Sequence, residues 1–175
     1  MRSRVGTRQV TVCYLLFLGG APTAELLAVR SVDAPEERAA LCRRMLEALP
    51  GWFGLPDAVE RYVHDVAALP MLAVGDLGFL TLKVHTDTAA EIYVMGVLPE
   101  RHGTGIGTAL VAEAEDLLRG TGVEYLQVKT LAPSHPSEHY AATRRFYEAR
   151  GFRPLEELTA IWGEANPCLI MVKRL

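Results

Sequence analysis

The chain has 175 residues, half of them apolar and 22% charged, with a formal net charge of −3. That balance belongs to one globular domain able to bury a core, and it excludes a disordered chain. The slight negative charge, with no basic tract interleaved with aromatics, excludes a general nucleic-acid surface.

At the start, Arg2, Arg4 and Arg8 precede an apolar run from Val10 to Leu18, followed by small residues from Gly19 to Ala24. That order imitates a secretory signal, although the run is too short to span a bilayer as a helix. The alternative is an extension over residues 1–24, with the domain proper occupying 25–175. Leu26 to Val32 then reads as a short strand. Asp33 and Glu36 have capping-box spacing ahead of a helix carrying Leu41, Met45 and Leu49, which Pro50-Gly51 stops. Asp57 and Glu60 repeat that spacing before a second helix striped by Val59, Tyr62, Val63 and Val66. Between the two helices, Trp52 and Phe53 lie between glycines; they pack into the core or line a pocket. Met71 to Val74 and Phe79 to His85 read as strands joined at Gly75-Asp76. The almost continuously apolar Glu91 to Leu98 reads as a central strand buried on both faces.

A helix is expected from Gly105 to Arg119, with Ile106, Leu110, Ala114 and Leu117 on one side. A strand from Tyr125 to Thr130 and a helix from Tyr140 to Arg150, closed by Gly151, come next. Arg144, Arg145 and Arg150 share that helix with Glu148 and read as a solvated face. Two last strands are expected near Glu157 to Trp162 and Leu169 to Lys173. The order β-α-α-β-β-β-α-β-α-β-β indicates a mixed sheet covered by helices. Cys13, Cys42 and Cys168 are too far apart for a zinc site or a disulfide framework, so no metal is expected and a reducing cytoplasm fits.

The stretch Val97 to Thr108 (VLPERHGTGIGT) is the most informative. A buried strand stops at Pro99, glycines follow at alternate positions, and an amphipathic helix begins at once. Glycine lets backbone amides approach a ligand, and the first amides of a helix have no partner inside it. With the helix dipole these features make an anion site suited to pyrophosphate. A Walker A loop needs a lysine, and this turn has none. The dinucleotide fingerprint needs G-x-G-x-x-G, whereas Gly103, Gly105 and Gly107 give G-x-G-x-G.

The segment His102-Gly103-Thr104-Gly105-Ile106-Gly107 resembles the acetyl-CoA motif of GNAT acetyltransferases, Gln/Arg-x-x-Gly-x-Gly/Ala, with His at its first position. Downstream, Tyr140 to Phe152 is similar to that superfamily's Asn-x-x-Ala-x-x-Phe-Tyr helix followed by Gly-Phe. Tyr140 stands for Asn and Thr143 for Ala, while Phe146-Tyr147 and Gly151-Phe152 are intact. The resemblance covers roughly Leu26 to Leu175. It implies an α/β fold with a mixed, mostly antiparallel central sheet, splayed between its fourth and fifth strands after Val97. It implies acetyl-CoA as the cosubstrate: Met95, Gly96 and Val97 along pantetheine, His102 through Thr108 around the pyrophosphate, and Tyr140 near the coenzyme.

The activity implied is transfer of acetyl from acetyl-CoA to a primary amine by direct attack. Tyr147 is the candidate general acid, because an ordinary tyrosine stays protonated at neutral pH. Glu91 is the candidate base, acting through water, with His85 or His139 as substitutes. The acceptor is a small-molecule amine or a peptide, and the protein a monomer or homodimer without nucleic-acid or membrane partners. The need for acetyl-CoA favours a cytoplasmic protein and the extension reading of residues 1–24. A coenzyme A-binding sensor without turnover is the competing reading.

Overall fold

The computed structural model describes residues 28–175. The expectations for residues 1–24, for Cys13 and for the first residues of the Leu26–Val32 strand lie outside the described residues.

Seven strands form one sheet in the order β1-β2-β3-β4-β5-β7-β6. They are β1 (Arg30–Val32), β2 (Met71–Val74), β3 (Gly78–Thr86), β4 (Ala89–Val97), β5 (Tyr125–Leu131), β6 (Arg153–Leu158) and β7 (Cys168–Arg174). Only β4 and β5 run parallel; every other neighbouring pair is antiparallel. The helices are α1 (Pro35–Glu47), α2 (Pro56–Val66), α3 (Ile106–Arg119), α4 (Glu138–Glu148) and the single turn α5 (Thr159–Trp162). None of them is long and apolar enough to cross a membrane.

The alternation of strand side chains divides the core between the two faces of the sheet. Leu41, Met45 and Leu46 of α1, with Val59, Val63 and Val66 of α2, pack against Met71, Phe79 and Val94. Ile106, Leu110, Ala114 and Leu118 of α3, with Tyr147 of α4, pack on the other face against Leu80, Ile92, Leu126 and Val128. The stripe on α3 carries Ile106, Leu110 and Ala114 as expected, but its last position is Leu118, 4% exposed, and not Leu117, 47% exposed.

Neither expected capping box forms. The N-caps are Ala34 and Leu55, without side-chain hydrogen bonds, and a proline follows each. Proline at the first helical position sets φ for the helix and fixes its start there. Asp33 is thereby left outside α1, and Asp57 is drawn inside α2. Glu60 instead accepts from Arg43 Nη2 of α1 at 2.8 Å, joining the two helices. At the other end of the fold, α4 closes as anticipated. Gly151 has φ +89°, and the N–H groups of Gly151 and Phe152 donate to the carbonyls of Glu148 and Tyr147, a Schellman closure.

The strand expected at Glu157 to Trp162 begins earlier and ends at Leu158. Leu158 pairs with Cys168, where β7 begins. Beyond that point no strand among the described residues is available to pair with, and the chain turns as α5, closed by Gly163 N–H donating to Thr159 O at 2.8 Å. That turn carries Trp162 to the site.

Candidate active site

The site originates in a bulge in β4. Thr81 faces Val94 and Leu82 faces Ile92, so Tyr93 is one residue too many for β3. A bulge bends its strand and increases the local twist. β4 pairs with β5 only from Ala89↔Tyr125 to Ile92↔Val128, and from Tyr93 to Val97 its edge on that side is free. The splay lies between the expected strands, but it opens after Ile92 and not after Val97. A cavity of about 370 Å³ fills the opening and is lined by Met95, Gly96, Val97, Thr130 and Tyr147 as far as His102, Gly103 and Gly107.

Glycine is required twice at the mouth of this cavity. Gly103 has φ +76° and Gly105, the residue before α3, has φ +93°, a region costly for residues with a Cβ. Among the described residues, the N–H groups of Gly103, Gly105, Ile106, Gly107 and Thr108 have no intramolecular partner. A Cβ at Gly107 would lie 2.9 Å from Phe146 Cε2 and 3.0 Å from Met95 Cε, so Gly107 lets α3 close against α4 and β4. Arg150 adds positive charge: its guanidinium stacks 3.6 Å from the Phe146 ring centroid and donates to Thr108 Oγ1. A cation beside a helix N-terminus opposes the helix dipole and so favours an anion between them. The His102 and Thr104 side chains turn back on the loop. His102 Nε2 donates to Val97 O at 2.9 Å, and Thr104 Oγ1 to Arg101 O at 2.7 Å. The turn thus presents main-chain donors.

Tyr147 is 5% exposed, and among the described residues the one hydrogen-bond partner of its hydroxyl is Met95 Sδ, at 3.9 Å. A thioether is a weak acceptor, so this O–H is available to a ligand in the cavity it lines. Burial pushes the Tyr147 phenol above the usual tyrosine range, with Arg150 pulling the other way.

Glu91 is 3% exposed and not at an exposed strand end. Its Oε2 accepts from Lys129 Nζ at 2.7 Å and lies 2.7 Å from His85 Nε2. Oε1 has no partner among the described residues, yet it is not sealed from the second cavity, which Glu91 lines. Of the two substitute bases, His85 lies beside Glu91, whereas His139 packs on Trp52 at 4.4 Å between ring centroids and lines neither cavity.

Tyr140 lines both cavities, but its hydroxyl donates to Trp52 O at 2.6 Å. Burial raises the Tyr140 phenol to about 12. Trp52 Nε1 in turn donates to Thr143 Oγ1 at 3.0 Å, and His102 meets the Trp52 ring edge-on at 5.6 Å. The three positions at which the sequence departs from the motifs it resembles, 102, 140 and 143, therefore converge on one residue, Trp52, two of them on its indole and Tyr140 on its carbonyl.

Beyond Trp52 the first cavity continues into a larger chamber of about 850 Å³. Trp52, Phe53, Tyr62, Tyr93, Tyr140 and Trp162 line both spaces, as does Lys129. Sequence reasoning did not single out Tyr93, Lys129 or Trp162. A lysine inside the apolar strand YLQVKTL was the available signal for Lys129; Tyr93 and Trp162 owe their positions to the bulge and to the α5 turn.

The acetyltransferase (GNAT) domain family matches residues 66–154. A mycothiol acetyltransferase from Beutenbergia cavernae is 30% identical over 129 residues, covering 74% of this chain and 40% of the relative. The chain thus spans well under half the length of that relative. A GNAT-family acetyltransferase structure from Desulfovibrio desulfuricans superimposes with a TM-score of 0.70 at 26% identity, covering 84% of this chain and 98% of the other. The PaiA N-acetyltransferase of Thermoplasma acidophilum, solved with coenzyme A, gives 0.61 at 15% identity over 85% and 99% of the two chains, a likeness of fold.

Proposed function

This chain belongs to the GNAT acetyltransferase family, and we propose that it moves an acetyl group from acetyl-CoA to a primary amine by direct attack. One observation carries the reading. The opened edge of β4 runs from the unpartnered amides of the glycine turn to the free hydroxyl of Tyr147 along a single cavity. That arrangement has an anion cradle at one end, a slot for an extended amide-bearing arm, and a proton donor at the other end.

The residues fit the cosubstrate in that order. The N–H groups of Gly103, Gly105, Ile106, Gly107 and Thr108 hold the pyrophosphate, with Arg150 near them. The free edge from Met95 to Val97 receives pantetheine as an added strand would be received, and a main-chain N–H there faces the oxygen that gains charge. Tyr147 donates its proton to the departing sulfur. Glu91 Oε1, through a water molecule, takes the proton the amine must lose, while Lys129 and His85 hold Oε2 in place. Tyr140 contributes by fixing the Trp52 loop over the slot.

The supply of acetyl-CoA places this activity in the cytoplasm. The competing reading, a sensor without turnover, leaves the Tyr147 hydroxyl and Glu91 Oε1 without a use. Calorimetry with coenzyme A and a thiol-release assay with acetyl-CoA and an amine panel decide between them. The expected result is binding together with release that depends on added amine. Binding without such release favours the sensor, and absence of both removes the proposal.

A further inference from the structure

The chamber beyond Trp52 carries information about the acceptor that its volume alone does not. Its walls are aromatic, and its polar groups are unevenly divided. Among the described residues lining it, Glu91 is the only carboxylate, with Oε2 already shared by Lys129 and His85. One acceptor atom, Oε1, is therefore left to meet an amine.

Donors are more plentiful. Arg61, on α2, lines the chamber and makes no hydrogen bond or ion pair among the described residues. It is close enough to Tyr62 to oppose the effect of Glu91 on that phenol, which burial chiefly raises. Lys129 has further N–H groups beyond the one given to Glu91. His135 also lines the chamber.

Resting on the acetyltransferase reading, we infer that the acceptor is a monoamine bearing a carboxylate on an apolar or aromatic body. Its amine faces Glu91 Oε1, its carboxylate faces Arg61, and its body lies against the Trp52 and Trp162 rings. An acceptor with several ammonium groups is disfavoured, because no second free carboxylate lines the chamber and Arg61 and Lys129 repel it. The same two cations favour the neutral form of the attacking amine, the form the chemistry needs.

The test uses phenylalanine and leucine, each beside its own amide, together with spermidine. Thiol release is measured with acetyl-CoA, and calorimetric binding to the coenzyme A-loaded protein. The acids should exceed their amides and spermidine by at least about tenfold, as expected from one charge-assisted contact. In Arg61→Ala, an exposed substitution, the ratio of acid to amide should fall close to one. Equal or reversed preference, no binding of either acid, or an unchanged ratio in Arg61→Ala overturns the inference. Amine-dependent release from the amides or spermidine would leave the acetyltransferase reading standing in those cases. Failure of the unaltered protein to bind coenzyme A would remove that reading instead, and the preference for acid over amide in binding to the bare chamber would then test only the chamber's ligand class.

Discussion

At the scale of single residues, the site depends on polar atoms left over after the fold has satisfied its own. Among the described residues the Tyr147 hydroxyl has only a thioether as a hydrogen-bond partner. Tyr147→Phe should lower kcat by about 10²-fold or more, the usual contribution of a positioned acid, with coenzyme affinity by calorimetry nearly unchanged. An unaltered kcat removes Tyr147 from the chemistry. Burial raises this phenol, so its proton remains through the pH range in which an ordinary tyrosine, near about 10, would begin to lose it. No decline in kcat between neutral pH and that value should trace to Tyr147. The linkage has the opposite consequence for stability. The raised value means that the folded state holds its proton more tightly, so this contribution is present below the unfolded pKa and is lost as pH rises above it. Alkaline unfolding should accordingly be shallower in Tyr147→Phe.

At the scale of elements, two local geometries create the cleft. The Tyr93 bulge parts β4 from β5, and the left-handed glycines end the turn with its amides facing outward. Gly105→Glu places both a strained side chain and a negative charge at the start of α3. It should abolish coenzyme A binding in calorimetry; retained tight binding would show that the pyrophosphate lies elsewhere. Gly78 has a different task. A Cβ there would lie 2.8 Å from Ile106 Cγ2 and 3.2 Å from Gly96 O, so Gly78→Ala should push α3 off β3. The expected loss is about 1–3 kcal/mol in urea unfolding, as for other overpacked cores, and a stability equal to that of the unaltered protein would contradict the close approach.

At the scale of the whole molecule, one sheet separates two apolar layers, and the site opens where its two halves part. Glu115 of α3 is 6% exposed and joins that layer to the β7 side through Lys173 Nζ at 2.5 Å, with Arg119 Nη2 at 3.1 Å. Glu115→Ala leaves Lys173 unpaired but within reach of solvent. A destabilisation of about 2 kcal/mol is expected, below the range for fully buried pairs, read as a lower urea midpoint. Trp52 and Trp162 are the only tryptophans, and both line the cavities. Coenzyme A should change intrinsic fluorescence and, at 100-fold its Kd, stabilise the fold by about 2.7 kcal/mol. That corresponds to roughly 5–10 °C in Tm for a domain of this size; no shift at that concentration would argue against the site.

What the sequence determined by itself was whatever short range controls. The element order, the core stripes and the glycine turn follow from periodicity and from backbone freedom, and they were readable along the chain. The position of Tyr147 on its helix was readable for the same reason. The capping boxes failed because Pro35 and Pro56 set the helix starts more firmly than the neighbouring acids could. The opening after Ile92, the pairing of Glu91 with Lys129 across two strands, and the arrival of Trp162 from the turn after β6 were decided only in three dimensions. Each depends on where a partner strand ends or bulges. Side chains 38 residues apart, as Glu91 and Lys129 are, acquire a common charge environment only once the sheet has fixed its register.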